Sequence, residues 1–254
     1  MKKNRHIWPV LLLAAAVPVW TAANIEIKHH RRPLVELDEA KIFFEENTTD
    51  GDLGIHLMAD GEGWKRLLLF SPRNCGKGLL VDIHVRGNLV KIGGLTEIFS
   101  ESAEPSFDEF PRGKFLAKFP AGEYRFVGLS VEGQWLVGTA ELTKHIPDGP
   151  VITAPEEEEA VDPNQDLLVE WEAVADPNEP KGSIIEYYEV VVEKDEEDER
   201  LAIYRVDMPA DATSVRVPAE FLEPGKAYKV EIIAEETSGN RAASEVEFET
   251  EEDD

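Results

Sequence analysis

The run Leu222-Glu223-Pro224-Gly225-Lys226-Ala227-Tyr228-Lys229-Val230-Glu231-Ile232-Ile233-Ala234 decides how this chain folds. From Tyr228 onward apolar and charged residues alternate, the period of a strand with one buried face. Pro224-Gly225 places a tight turn just ahead of it. A Tyr near the start of such a strand can return its hydroxyl to backbone a few residues upstream. That contact, a tyrosine corner, fixes a crossing between two sheets. Two earlier runs have the same character: Leu167-Leu168-Val169-Glu170-Trp171 and Tyr187-Tyr188-Glu189-Val190-Val191-Val192. Val, Ile, Tyr and Trp suit a pleated, packed surface. Turn residues separate the runs and no helical period lies between them, which predicts an antiparallel sandwich with Trp171 as a buried anchor.

The order of these runs resembles a fibronectin type III domain over residues 148–250, about 40% of the chain. Pro147-Asp148-Gly149-Pro150-Val151-Ile152-Thr153-Ala154-Pro155 stands where that family has its entry linker and first strand (residues 147–155). Leu168-Val169-Glu170-Trp171 matches its Trp-bearing strand, and Ile185-Glu186-Tyr187-Tyr188-Glu189-Val190 its Tyr-x-Val strand. Ser214-Val215-Arg216-Val217-Pro218, Leu222, Tyr228, Ala234, Gly239-Asn240 and Phe248-Glu249-Thr250 follow in order. The resemblance implies an immunoglobulin-like sandwich of seven strands without disulfides. It implies no activity, because this fold serves as spacer or binding module far more often than as catalyst. No Arg-Gly-Asp tripeptide is present, so no adhesion site carries over.

The first 23 residues read as a signal peptide. Lys2, Lys3 and Arg5 precede an apolar run at residues 10–19, and Thr21-Ala22-Ala23 offers small residues for cleavage near Ala23. The run is short of the roughly 20 residues that cross a bilayer. The competing reading is an uncleaved anchor. No Cys ends the run, which disfavours a lipoprotein. The expectation is a secreted or periplasmic protein with no membrane span in the mature chain. Residues 24–33 read as a mobile basic leader, in which His29-His30 is a flexible pair of no assigned role. The single Cys75 cannot form an internal disulfide, although export implies an oxidising compartment. It sits among turn residues and reads as a bystander thiol.

Charge is unevenly shared. Residues 24–147 carry 15 Lys/Arg against 19 Asp/Glu, a net of −4; residues 148–254 carry 8 against 33, a net of −25. So acidic a second half repels nucleic acid and anionic membrane and can attract basic partners. The runs at residues 156–159 and 195–199 read as solvated loops, and residues 251–254 as an acidic tail.

Residues 34–146 read as a β-rich domain of no assigned family. Strands are expected at residues 40–46, 54–59, 64–71, 78–86, 95–100, 122–131 and 134–143, with hairpin turns at residues 60–63 and 131–134. A short helix is expected at residues 112–118, with Phe115 and Phe119 on one face. The sum is an all-β protein: an N-terminal sandwich or partial barrel with one short helix, then the immunoglobulin-like sandwich.

Three constellations bear on function. Asn47, Asp50 and Asp52, with Gly51 for the sharp turn, offer oxygens of the kind calcium takes. Asp60 and Glu62 would join them if the two loops share one end of the domain. The spacing is not that of an EF-hand, and an ordinary polar turn is the alternative. Among the aromatic residues, Trp135 just after a turn and Trp64 are the candidates for contacting a sugar ring or partner, against plain core packing. A search for catalytic motifs fails. Gly128-Leu129-Ser130-Val131-Glu132 lacks the second Gly of a nucleophile elbow. The chain has no His-x-x-x-His pair, phosphate loop or dinucleotide fingerprint. The expected function is an exported, non-catalytic binding or structural protein. Its β-domain would contact a protein or glycan, and the acidic module would act as spacer or docking surface. Calcium-dependent recognition through the Asp50–Asp52 loop is the alternative, and an uncharacterised hydrolase the second alternative.

Overall fold

A computed structural model describes residues 33–72, 78–174, 185–195 and 203–252. The expected signal peptide and leader up to Arg32, and Cys75, lie outside the described residues, as does most of the acidic run at 195–199. In the N-terminal half, β1 (Leu34–Glu36), β2 (Glu39–Asn47), β3 (Asp52–Phe70) and β4 (Leu79–His84) precede a short helix α1 (Asn88–Lys91). There follow β5 (Leu95–Glu101), α2 (Arg112–Leu116), β6 (Gly122–Ser130) and β7 (Trp135–Leu142). The C-terminal half holds β8 (Val151–Ala154), β9 (Glu159–Val161), β10 (Leu167–Glu172) and β11 (Ile185–Lys194). It ends with β12 (Ile203–Pro209), β13 (Ser214–Val217), β14 (Ala227–Glu236) and β15 (Arg241–Thr250).

The C-terminal half is a sandwich of β13-β10-β8 against β15-β14-β11-β12, three strands facing four in the order of a fibronectin type III domain. Alternation along each strand sends Val169, Trp171, Tyr188, Val190, Ile232 and Phe248 into a common core. Trp171 meets Tyr188 edge-on at 5.4 Å. Burying each such side chain contributes about 1.5–3 kcal/mol. The tyrosine corner is present: the Glu223 N–H donates to Tyr228 Oη at 2.8 Å, while the ring stacks on Phe248. The acidic stretch at 156–159 is not merely a solvated loop. The Glu158 N–H bonds the Glu247 carbonyl, and Glu159 opens β9, which pairs parallel to β15.

The N-terminal half is built on β3. Its first part pairs with β2 on one side and β5 on the other; its second part pairs with β6 and β4. The change of partners falls at Asp60-Gly61-Glu62-Gly63, which composition predicts to be a hairpin turn. The glycines instead permit a bend inside one strand of 19 residues. A Cβ on Gly63 would collide with the Gly93 carbonyl oxygen, and one on Gly61 would reach Leu37 at 3.0 Å. A strand that bends from one sheet into another makes the corner of an orthogonal packing. The curl nearly closes where β2 meets β7, since a Cβ on Gly138 would lie 2.8 Å from Ala40 Cβ. Helix α2 caps the open end with Phe115, and Phe119 lies 5.4 Å away. A second tyrosine corner sits here: Tyr124 Oη donates to the Pro120 carbonyl at 3.1 Å.

The two halves share one sheet. Strand β15 lies parallel to β2, pairing Arg241 with Glu45 and Ala243 with Asn47. Fully buried Asn240 accepts from the Phe44 N–H at 2.9 Å and donates to Thr143 Oγ1 and the His145 carbonyl. Thr48 Oγ1 bonds the Ala243 carbonyl at 2.8 Å, and Gly149 leaves room for it. The segment at 147–150 is therefore packed at this seam, with Pro147 and Pro150 buried. Among the described residues no helix is long and apolar enough to cross a membrane.

Candidate functional site

The shared sheet aligns β5, the first part of β3, β2, β15, β14, β11 and β12 side by side. One face carries the two cores. The register fixes what the other face displays. Phe43 pairs with His56, Glu45 with Gly54, and His56 with Glu101. Arg241 stands beside Glu45 and opposite Glu235, which in turn pairs with Tyr187. Because side chains alternate, all of these project from the same side.

Two adjoining groups result. In the first, His56 is 4% exposed, and its ring stacks on Phe43 at 5.0 Å and 19°. Phe99 lies against it at 5.5 Å and is itself half exposed. Neither ring nitrogen of His56 has a hydrogen-bond partner. Nε2 faces Glu104 Oε1 at 3.7 Å and Glu45 Oε1 at 3.9 Å. Ligand-capable atoms of His56, Glu101 and Glu104 lie within 4.8 Å of one another. Gly54 makes this possible, because a Cβ there would occupy the place of the Glu104 carboxylate. Burial, the hydrogen bond to Glu101 and the charges of Glu101, Asp52 and Glu45 push the Glu104 carboxyl up to about 8. Burial raises Glu45 as well, against the pull of Arg241. Burial lowers His56.

In the second group, Arg241 Nε donates to Glu235 Oε2 at 2.7 Å, and Nη2 donates to Tyr187 Oη at 3.2 Å. Tyr187 Oη donates to the same carboxylate. The guanidinium lies 4.7 Å over the Phe43 ring and 3.6 Å from Glu45. Burial opposes its charge, but Glu235, Tyr187 and Glu45 outweigh burial and hold it firmly cationic. An open cleft of about 410 Å³ runs beside it, lined by Lys41, Phe43, Tyr187, Glu235, Ser238 and Arg241. Arg241, Phe43, His56 and Phe99 thus form one continuous row across both halves of the chain.

The residues singled out by sequence fall elsewhere. Trp64 is fully buried at the bend of β3, so its ring is core and cannot meet a ligand. Trp135 is 42% exposed on β7, opposite Leu34 of β1, far in register from the row just described. Asn47 Oδ1 accepts the Thr49 and Asp50 N–H groups, and its amide donates to Asp50 at 3.4 Å. With Thr48 and Thr49 bonded to β15, this turn fastens the two halves together. Asp60 and Glu62 do not approach it. Asp60 pairs with Glu39 at the far end of the ladder that starts at Asn47 and Asp52, about 27 Å away at 3.4 Å per residue. The five proposed calcium ligands therefore form no single site. Asp52 alone is near the acidic group, where it helps raise Glu104. Elsewhere, on β4, Asp82 lies 3.1 Å from His84 and 2.8 Å from Arg66, three partly exposed side chains on the surface.

His56, Glu101 and Glu104 were missed because the β3–β5 ladder that joins them spans 45 positions of sequence. A usable signal existed. Phe43-x-Glu45, Gly54-x-His56 and Phe99-x-Glu101 each place a ligand-type residue two from an aromatic or glycine, on one face of a strand.

No protein-family profile and no curated protein matches the sequence. Among solved structures, the chain is similar to the fibronectin(III)-like modules of Clostridium thermocellum CbhA, at 10% identity and TM-score 0.34, over 85% of this chain and 93% of that one. It is also similar to the chicken CNTN1 FN1–FN3 domains, at 12% identity and TM-score 0.33, over 87% of this chain and 69% of that one. The assignment of the C-terminal sandwich rests on its own strand order and core.

Proposed function

We propose that this chain is an exported, non-catalytic binding module whose outer sheet face receives a basic partner protein. One observation carries the reading: both halves contribute strands to a single open face on which acids outnumber bases. Glu45, Glu101, Glu189, Glu193, Asp207 and Glu235 all project from it, and Arg205, Lys229 and Arg241 answer only some of them. Arg205 pairs with Glu189, and Lys229 lies between Glu193 and Glu245. The surplus supplies a field that steers cationic surfaces and falls with salt. Export rests on the amino-terminal signal pattern, and the spacer role on the fibronectin-like sandwich.

The test uses a lysine-rich peptide as probe for the full chain. Retention at low salt is expected, with loss at high salt. The variant Glu193→Lys/Asp207→Lys should weaken it more than Glu251→Lys/Glu252→Lys, which changes the same charge on the tail. Equal weakening by the two variants would reduce the effect to net charge and defeat the reading.

A further inference from the structure

We propose that His56, Glu101 and Glu104 form a binding site for a divalent first-row transition ion, with zinc as the representative. The geometry is that of three donors brought to one point by two strands and the segment after β5. Their ligand atoms lie within 4.8 Å of one another, and His56 Nε2 is 3.7 Å from Glu104 Oε1. A tetrahedral ion with bonds of about 2.0–2.2 Å spaces its ligands by little less than that. One imidazole and two carboxylates suit zinc or manganese, whereas calcium takes oxygens.

The independent observation is His56 itself. It is 96% buried by its 4% exposure, and both ring nitrogens are without a hydrogen-bond partner. A buried polar atom left so is costly, at about 1–3 kcal/mol. Its Nε2 points among carboxylate oxygens that crowd one another. A cation there satisfies the imidazole and offsets the repulsion at once. The ring is held in place by Phe43 and Phe99 rather than by a hydrogen bond on the far nitrogen. Gly54 keeps open the space in which Glu104 lies. Glu101 is exposed, so the ion keeps one side toward water. Glu45, shared with Arg241, stands 3.9 Å from Nε2. The site belongs to the chain alone and does not depend on the basic-partner reading.

The test is zinc binding by the chelator-treated full chain, read by competition with a chromophoric chelator. Every protein tested carries His29→Ala/His30→Ala, which removes the rival pair in the leader. The parent is expected to bind one zinc ion per chain with micromolar affinity. Glu101→Gln, at an exposed position that folding tolerates, should weaken binding at least tenfold, the lower bound for disturbing even the supporting partner of a ligand. His56→Phe should abolish it while keeping the ring stack. Glu97→Gln, on the same strand and face, should leave it unchanged. No saturable binding by the parent would overturn the site. So would affinity that Glu101→Gln leaves intact, even if His56→Phe fails to fold.

Discussion

The two halves of this chain use the same corner device and differ in how openly they show it. In the C-terminal sandwich, Tyr228 follows Leu222-Glu223-Pro224-Gly225 and takes the Glu223 N–H on its hydroxyl. In the N-terminal half, Tyr124 follows Phe119-Pro120-Ala121-Gly122 and gives its hydroxyl proton to Pro120. Both rings are fully buried. The first half of the comparison is legible because each of its strands pairs within one sheet, so each run alternates cleanly between turns. The second is obscured because β3 serves two sheets. Its alternation breaks at Gly61-Glu62-Gly63, and a break flanked by glycines has the composition of a turn. The contrast locates the difference between the halves in a backbone bend rather than in core chemistry.

The most direct way to break the N-terminal half alone is therefore at that bend. In Gly63→Ala the new methyl meets the Gly93 carbonyl, a backbone atom that cannot swing aside. Overpacking against fixed neighbours costs about 3 kcal/mol. For a protein of this size the melting midpoint should fall by about 6 °C. Gly113→Ala in α2, where nothing lies within 4 Å of the added atom, should change stability by no more than about 1 kcal/mol and in the favourable direction. A midpoint that survives Gly63→Ala would mean that Gly93 and Gly94 move, and that the bend is not what fixes β3.

The seam between the halves is sharpened by Asn240. Its side chain serves the Phe44 N–H, Thr143 and the His145 carbonyl, which belong to the other half. Asn240→Ala leaves a buried N–H and a carbonyl without partners, a loss of about 2 kcal/mol. The halves should then separate in cooperativity: a single calorimetric transition in the parent becomes two. A single, equally cooperative transition in the variant would assign the coupling to the β2–β15 ladder and the Thr48 contacts instead. Sequence placed Gly239-Asn240 in the fibronectin-like pattern but not its reach across the seam. That reach depends on β15 closing the four-strand sheet of the C-terminal sandwich, where its outer side is left to pair with β2, and no local pattern names the partner that such a side takes. The same holds for the cluster around His56. Register decides which residues face one another, and a slip of one position would send His56 into the core and bring Ile55 to the outer face. Residue types alone do not encode that choice. Hence Asp50, Asp52, Asp60 and Glu62 looked like a set, although the ladder separates them.

The smallest effect tests the opening comparison most finely. Tyr228→Phe and Tyr124→Phe each delete one hydroxyl and keep the ring, so packing is preserved while the corner bond is lost. The expected scale is about 1 kcal/mol, but the two need not be equal. Removing the Tyr228 hydroxyl leaves the part-buried Glu223 N–H without its acceptor, and an unpaired N–H is the less tolerated loss. Removing the Tyr124 hydroxyl leaves the Pro120 carbonyl short of one donor, which backbones accept more readily. Tyr228→Phe should therefore cost about twice as much as Tyr124→Phe in denaturant melts of the full chain. Equal losses would show that the corner acts through ring placement alone in both halves. A larger loss at Tyr124 would make the N-terminal corner the stronger anchor, with the curled sheet around β3 relying on it more than the C-terminal sandwich relies on Tyr228.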